Sequence, residues 1–199
     1  MEKLILKIKK VLMEPKTVWS EIQTENETVS SLLKSYILPL AAIPAIASLI
    51  GYWLIGINVP PWGRMASFEW GLNQAISSYI AIVAGILLTS WVISWLAPKF
   101  GTTVTLDNAV KLVTYSYFPI FIGGIFYLIP SLAIIASLAG IYGLYILYQG
   151  FTPITGVSDE KRTSYYVVSL ITMIVLFFVL GLIIASILGA LGLSQMKYQ

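Results

Sequence analysis

The chain has 199 residues, 58% of them apolar and only 11% charged, with a mean hydropathy of +0.86. A typical soluble domain carries roughly 25% charged residues, so this chain cannot cover a globule with a solvated surface and belongs in a bilayer. It has no Cys and no His and a net charge of +3; disulfides, thiolate nucleophiles, imidazole bases and Cys/His metal sites are excluded, and the total charge gives no reason to expect a nucleic-acid partner.

Residues 1–30 are the most polar part and read as an amphipathic N-terminal segment ahead of a membrane domain over 31–199. Leu4, Ile5, Ile8, Val11 and Leu12 recur at helical spacing, and Lys3, Lys7 and Lys10 share the other face. That pattern predicts a short helix lying in the membrane interface with its lysines towards anionic headgroups; packing on loops of the same chain is the alternative. Glu14-Pro15 predicts the start of a second short helix, since proline is favoured in a first turn. Trp19 on that helix is expected at headgroup level. Thr24-Glu25-Asn26-Glu27 fits a capping box leading into the first span.

Four stretches carry no Lys, Arg, Asp or Glu: 35–63, 70–98, 112–158 and 163–196. Crossing the hydrocarbon core takes about 20 apolar residues. The third stretch is too long for one helix, and Pro130 near its middle predicts a tight hairpin. Five spans result, at about 31–56, 71–96, 109–128, 131–149 and 165–192. Pro39 and Pro44 are expected to kink the first. Aromatic residues mark the span ends: Tyr52, Trp53, Trp62 and Trp70 around the first outer loop, Trp91 and Trp95 at the far end of the second span. Ten of the twelve Lys and Arg residues fall on the side of the N-terminus, leaving only Arg64 and Lys197 opposite. The positive-inside rule then places the N-terminus in the cytoplasm and the C-terminus outside.

Inside the spans no ionisable side chain is expected deep in the bilayer, because Lys34, Glu69 and Lys111 lie near span ends and can snorkel. That argues against ion-coupled transport and against intramembrane hydrolysis. Glu69 and Asp107, the only enzymatic candidates, fall on opposite predicted sides, so no catalytic residue, metal ligand or cofactor is assigned. Ser90 and Ser94 lie one turn apart on the second span. Either they bond between helices or, with Tyr115, Ser116 and Pro119 of the third span, they line a polar path. Pro119 frees the carbonyl of Tyr115, which lipid cannot satisfy, so irregular backbone is expected there. Gly123-Gly124 permits close helix approach. Gly181, Ala185 and Gly189 repeat every four residues on the fifth span, a small-residue face for helix packing within the bundle or in a homo-oligomer.

Pro15 and Trp19 ahead of the first span, Lys111 leading into Tyr115-Ser116 and Pro119, the Pro130 turn, Gly140-Ile141-Tyr142-Gly143-Leu144-Tyr145, Gly150 and the basic Lys161-Arg162 occur in an order that resembles the Yip family, named for interaction with Ypt/Rab GTPases. The resemblance runs over nearly the whole chain and implies a five-helix domain with a cytoplasmic N-terminus; with the amphipathic segment, the expected fold is an all-helical membrane bundle of five transmembrane helices preceded by short interfacial helices. Its eukaryotic members are associated with Golgi trafficking and Rab binding. Only about 30 residues precede the first span here, and the Asp-Leu-Tyr-Gly-Pro sequence of those relatives is absent. The chain resembles the compact bacterial and archaeal form, which implies a prokaryotic plasma membrane. The expectation is a non-catalytic scaffold or adaptor that organises membrane or cytoplasmic protein partners, or lipids of the bilayer. The alternative is a passive permease, channel or lipid-moving protein for a neutral solute or lipid.

Overall fold

The computed structural model describes the backbone of residues 2–61 and 63–190 and the side chains of 4–61, 63–179 and 182. The chain folds into an all-helical membrane bundle. Two short helices, α1 (Glu2–Met13) and α2 (Val18–Gln23), precede five stretches long and apolar enough to cross a bilayer, at Val29–Ile55, Phe68–Phe100, Leu106–Leu128, Pro130–Thr155 and Asp159–Val179.

The first span begins as α3 (Val29–Leu32), widens into a π-helical turn over Leu33–Ile37, continues as α4 (Leu38–Ile50) and ends in a second wide turn over Gly51–Ile55. The first wide turn ends where Pro39 offers no N–H to the helical ladder. Thr28 caps α3 by accepting from the Ser31 N–H at 3.2 Å. The cap therefore lies four residues beyond the box expected at Thr24, and Glu25 and Glu27 are used elsewhere. Helix α2 also starts later than Glu14-Pro15 implies, because residues 14–17 form a turn.

The loop after the first span holds a small β-hairpin, β1 (Ile57–Val59) with β2 (Gly63–Met65), in register Ile57↔Met65 and Val59↔Gly63. Apolar scanning for spans passed over it because three-residue strands carry no periodic signal. Arg64 on β2 donates from Nε to the Ile55 carbonyl at 2.7 Å and also bonds the Leu54 carbonyl. It thereby satisfies carbonyls that the end of the first span leaves open.

The second span is α5 (Phe68–Leu96), capped by Ser67 and closed by a 3₁₀ turn over Ala97–Phe100. The third breaks where Pro119 predicts: α6 (Leu106–Ser116) stops, α7 (Phe118–Gly123) restarts one residue later, and 3₁₀ turns follow. The fourth span, α8 (Ala133–Thr155), runs six residues past the expected end, through Pro153, and stops at Gly156 with φ 66°. The fifth, α9 (Asp159–Ala190), is the most peripheral.

Glycines set the closest approaches. A Cβ at Gly143 of α8 would stand 2.7 Å from the Ser116 carbonyl oxygen, and one at Gly124 would stand 2.9 Å from Cα of Pro44. The irregular segment around Pro119 is thus wedged between the first and fourth spans. Val11, Val18, Trp19 and Ile22 belong to the same buried cluster as Ile86, Leu112, Phe118, Phe121 and Phe151. The N-terminal helices share one core with the spans.

Candidate functional site: charges carried into the bundle

The polar centre of the molecule lies where the N-terminal segment meets the third span. The Lys7 ammonium of α1 donates to a carboxylate oxygen of Glu25 and, at 3.0 Å, to the Tyr115 hydroxyl. Tyr115 in turn donates to Glu27, whose other oxygen lies 3.8 Å from Lys7. Lys111, 1% exposed, donates to the main-chain carbonyl of Glu25 at 2.7 Å. Asp107 accepts from the Val29 N–H at 2.7 Å, pinning the start of the first span to the start of the third. The Lys7 ammonium stands 5.0 Å from the Tyr115 ring centroid and 5.7 Å from that of Tyr36, and the two rings meet edge to face. Two cations, two anions and two aromatic rings therefore close on one another.

Burial works against the charged form of Lys7, but the Glu25 hydrogen bond and the fields of Glu27 and Glu25 outweigh it and hold its pKa above the usual lysine value. The ammonium is thus the stable form in the folded protein.

These placements correct several expectations. Lys7 turns inward to an ion pair instead of outward to headgroups, because two carboxylates offer stronger partners than solvent. Lys10 stays exposed but pairs with Glu21 at 2.8 Å. The side chain of Lys3 is outside the described residues. Trp19 is fully buried in the bundle instead of facing headgroups; Gly150 of α8, having no side chain, leaves the room its indole occupies. The spans bring few charges into the bilayer by themselves, but the N-terminal segment delivers Lys7, Glu25 and Glu27 to the level of Tyr115. Span composition could not reveal this, because those residues lie outside every span. The sequence offers only the acidic pair Glu25 and Glu27 ahead of the first span, which fits a helix cap equally well.

The serine hydroxyls that could line a polar path are taken by main chain. Ser90 donates to the Ile86 carbonyl at 2.6 Å, Ser94 to Val104 at 2.7 Å and Ser116 to Leu112 at 2.8 Å. Thr89 points to the Met173 sulfur at 2.9 Å. Beside Ser116 a cavity of about 70 Å³ lies between α5, α6, α8 and α9, floored by Gly140 and Gly143 and otherwise mostly apolar. Ser90 and Ser94 are not among its lining residues. Ser90→Ala and Ser94→Ala should each cost only about 0.6 kcal/mol, the ordinary worth of a hydrogen bond between or along membrane helices. Thermal unfolding in detergent checks this, and shifts of several degrees would assign the hydroxyls a larger role. Gly181, Ala185 and Gly189 lie on α9 but outside the residues whose surroundings are described. Among the described residues, no three acidic groups lie close enough to hold a metal ion.

Two comparisons with known proteins agree on kinship. The Yip1 domain matches residues 9–195. Inner membrane protein YohC of Escherichia coli K12 is 30% identical over 149 residues, covering 72% of this chain and 76% of that protein. The protein of the same name from E. coli O6:H1 matches to the same extent. No solved structure matches. The Yip1 match begins inside α1, takes in α2 and runs through all five spans, and the chain belongs to the Yip1 domain family.

Proposed function

We propose that this protein is a non-catalytic scaffold or adaptor of a prokaryotic plasma membrane, with its N-terminus in the cytoplasm. The observation that carries the reading is the way α1 is mounted. Lys7 and Trp19 fix the N-terminal segment to the bundle, while Ile5, Leu6 and Met13 stay exposed on the outward face beside Lys9. A helix fixed from behind and apolar in front is a preordered surface for a membrane-associated protein. The inner-membrane relative and the basic residues gathered at the N-terminal end support the location and orientation. A solute pathway is the weaker reading, because the serines that would line it bond their own main chain.

The test is native mass spectrometry of protein released gently from its own membrane, for the wild type and for Ile5→Ser with Leu6→Ser. A hetero-complex of defined stoichiometry is expected, with recovery reduced about tenfold in the variant, a loss of roughly 1.4 kcal/mol. Thermal unfolding of the bundle should be unchanged, since both side chains are exposed. A complex indifferent to the variant, or solute flux through vesicles carrying the wild type, would overturn the reading.

A further inference from the structure

The two flanks of the bundle present apolar belts of different height. Rings gather at the hairpin end: Tyr52 packs on Trp70 at 4.8 Å between centroids and Trp53 on Phe68 at 5.2 Å. Gly51 lies directly beneath the carbonyls of Tyr127 and Leu128. The start of α5, the end of the first span and the turn before α8 are therefore level, and the rings mark one membrane interface. Along α5 the opposite interface is marked by Trp91 and Trp95, exposed and stacked, with the Lys99 ammonium 4.6 Å over the Trp95 ring. From Trp70 to Trp91 and Trp95 is about 32–38 Å at the α-helical rise of 1.5 Å per residue, enough to cover a hydrocarbon core of about 30 Å.

On the α8 flank the distance is much shorter. The turn between α1 and α2 crosses α8 at Tyr142, whose hydroxyl donates to the Leu12 carbonyl at 2.6 Å. From Pro130 to Tyr142 is about 18 Å, and to Tyr145 about 23 Å. Side chains lean towards the start of their helix, here the hairpin end, so the turn lies no farther away than this count. The third span also places the N-terminal segment short of a full crossing: Tyr115, whose hydroxyl holds Lys7, is about 22 Å from Leu128 with the 3₁₀ turn over Gly124–Leu128 included, and its ring leans a few Å farther from the hairpin end. Tilt does not remove the difference. Helix α5 would have to lie about 55° from the membrane normal to project onto 20 Å, beyond the range of about 0–40° seen for membrane helices.

At this shallow height the turn is charged. Glu14, Lys16 and Thr17 are exposed and, with Tyr142 and Tyr145, line an open groove of about 430 Å³. Lys16 has no ion-pair partner among the described residues. The two tyrosine rings stack at 5.9 Å. Beyond them Ile141, Leu138 and Ile134 run on along α8 as an exposed apolar strip towards the hairpin end. Unpaired charge cannot rest in hydrocarbon without a cost of several kcal/mol. The membrane must therefore meet the groove with polar groups of its own.

We propose that the turn between α1 and α2 is a phospholipid headgroup site that draws one leaflet inward and thins the bilayer along the α8 flank by about 10 Å, the difference between a core of about 30 Å and the height available there. Lys16 takes the phosphate. Glu14 and the faces of Tyr142 and Tyr145 take the ammonium of a zwitterionic headgroup. An acyl chain lies along Leu138 and Ile141. The protein thus organises lipid directly, by holding a local step in membrane thickness. This inference rests on the height of the N-terminal segment and not on the protein partner proposed above, so either can fail while the other stands.

The absence of cysteine makes the test direct. Ile141→Cys and Ala81→Cys place single bimane labels about 17 Å from the hairpin-end interface, one on each flank. The full chain is reconstituted in phosphatidylcholine vesicles containing lipid with a nitroxide on either its headgroup or its acyl chain. The label at 141 should be quenched more by the headgroup nitroxide, and the label at 81 more by the chain nitroxide. Glu14→Leu with Lys16→Leu should convert the pattern at 141 to that at 81 and leave 81 unchanged. Both changes are at exposed positions, and an unchanged pattern at 81 reports that the bundle is intact. The same quenching pattern at the two positions would overturn the thinning. A pattern at 141 that ignores the loss of Glu14 and Lys16 would overturn the headgroup site.

Discussion

Gly150→Val is expected to expel Trp19 and release the N-terminal segment from the bundle. A Cβ at residue 150 would stand 2.5 Å from Cζ2 and 2.6 Å from Cδ2 of the indole. Those are ring atoms of a side chain that is 0% exposed, so no small rotation relieves the overlap. Val11, Val18 and Ile22 are buried with it, and all three lose their cover when the indole leaves. Removing a large buried aromatic costs about 3–5 kcal/mol, and the variant should lose stability of that order. Thermal unfolding in detergent measures the loss, and trypsin cleavage after Lys7, which the docked segment holds against Glu25, should become rapid as the segment detaches. Trp19→Val in the Gly150→Val background should recover part of the stability, because the added methyl groups then fill space the indole has left. A variant as stable as the wild type, with Lys7 still protected, would mean that the segment is held by its ion pairs alone.

What the sequence made legible follows from what is periodic. Five spans, the break at Pro119 and the close approach at Gly123-Gly124 are written in runs of apolar residues, in a missing N–H and in missing side chains. Each can be read without knowing its neighbours. Trp19 and Lys7 could not be placed in that way. A tryptophan ahead of a span reads as an interfacial anchor unless Gly150, more than a hundred residues later, is known to face it. A lysine on an amphipathic helix reads as a headgroup ligand unless Glu25, Glu27 and Tyr115 are known to converge on it. The rule that spans avoid charge fails at Lys111, which does not snorkel from the end of the third span but is buried in α6 on the Glu25 carbonyl, and it does not cover a segment outside the spans that folds back at their depth. The resemblance to the Yip family identified the five-helix architecture, and it carried no statement about which side chains the N-terminal helices turn inward.

The charge cluster should behave as a unit whose members are worth more together than apart. Glu25→Gln with Glu27→Gln removes both anions and leaves the Lys7 ammonium without a counter-charge, while Lys111 keeps only the main-chain carbonyl of residue 25. Breaking a buried ion pair from one side costs about 3–5 kcal/mol. Glu25 is one-third exposed, and water screens part of that effect, so a loss of about 2–4 kcal/mol is expected. Adding Lys7→Met to the same background should restore most of it, since an apolar side chain among Tyr36, Tyr115 and Ile8 needs no counter-charge. Detergent unfolding of the double and triple variants gives the coupling directly, and a triple variant no more stable than the double would show that the charges act independently. Alkali provides a second reading of the same cluster without mutation. The folded-state pKa of Lys7 is raised from 10.5, so its contribution is fully present below that ordinary value and is lost as pH climbs through the raised one. Wild-type stability should therefore hold through neutral pH and fall at strongly alkaline pH, and the part of the fall that disappears in Lys7→Met is the part carried by this one ammonium group. That subtraction matters, because other lysines and the tyrosines titrate in the same alkaline range. A fall equally steep in Lys7→Met would place the alkaline sensitivity elsewhere and leave the N-terminal segment secured by Trp19.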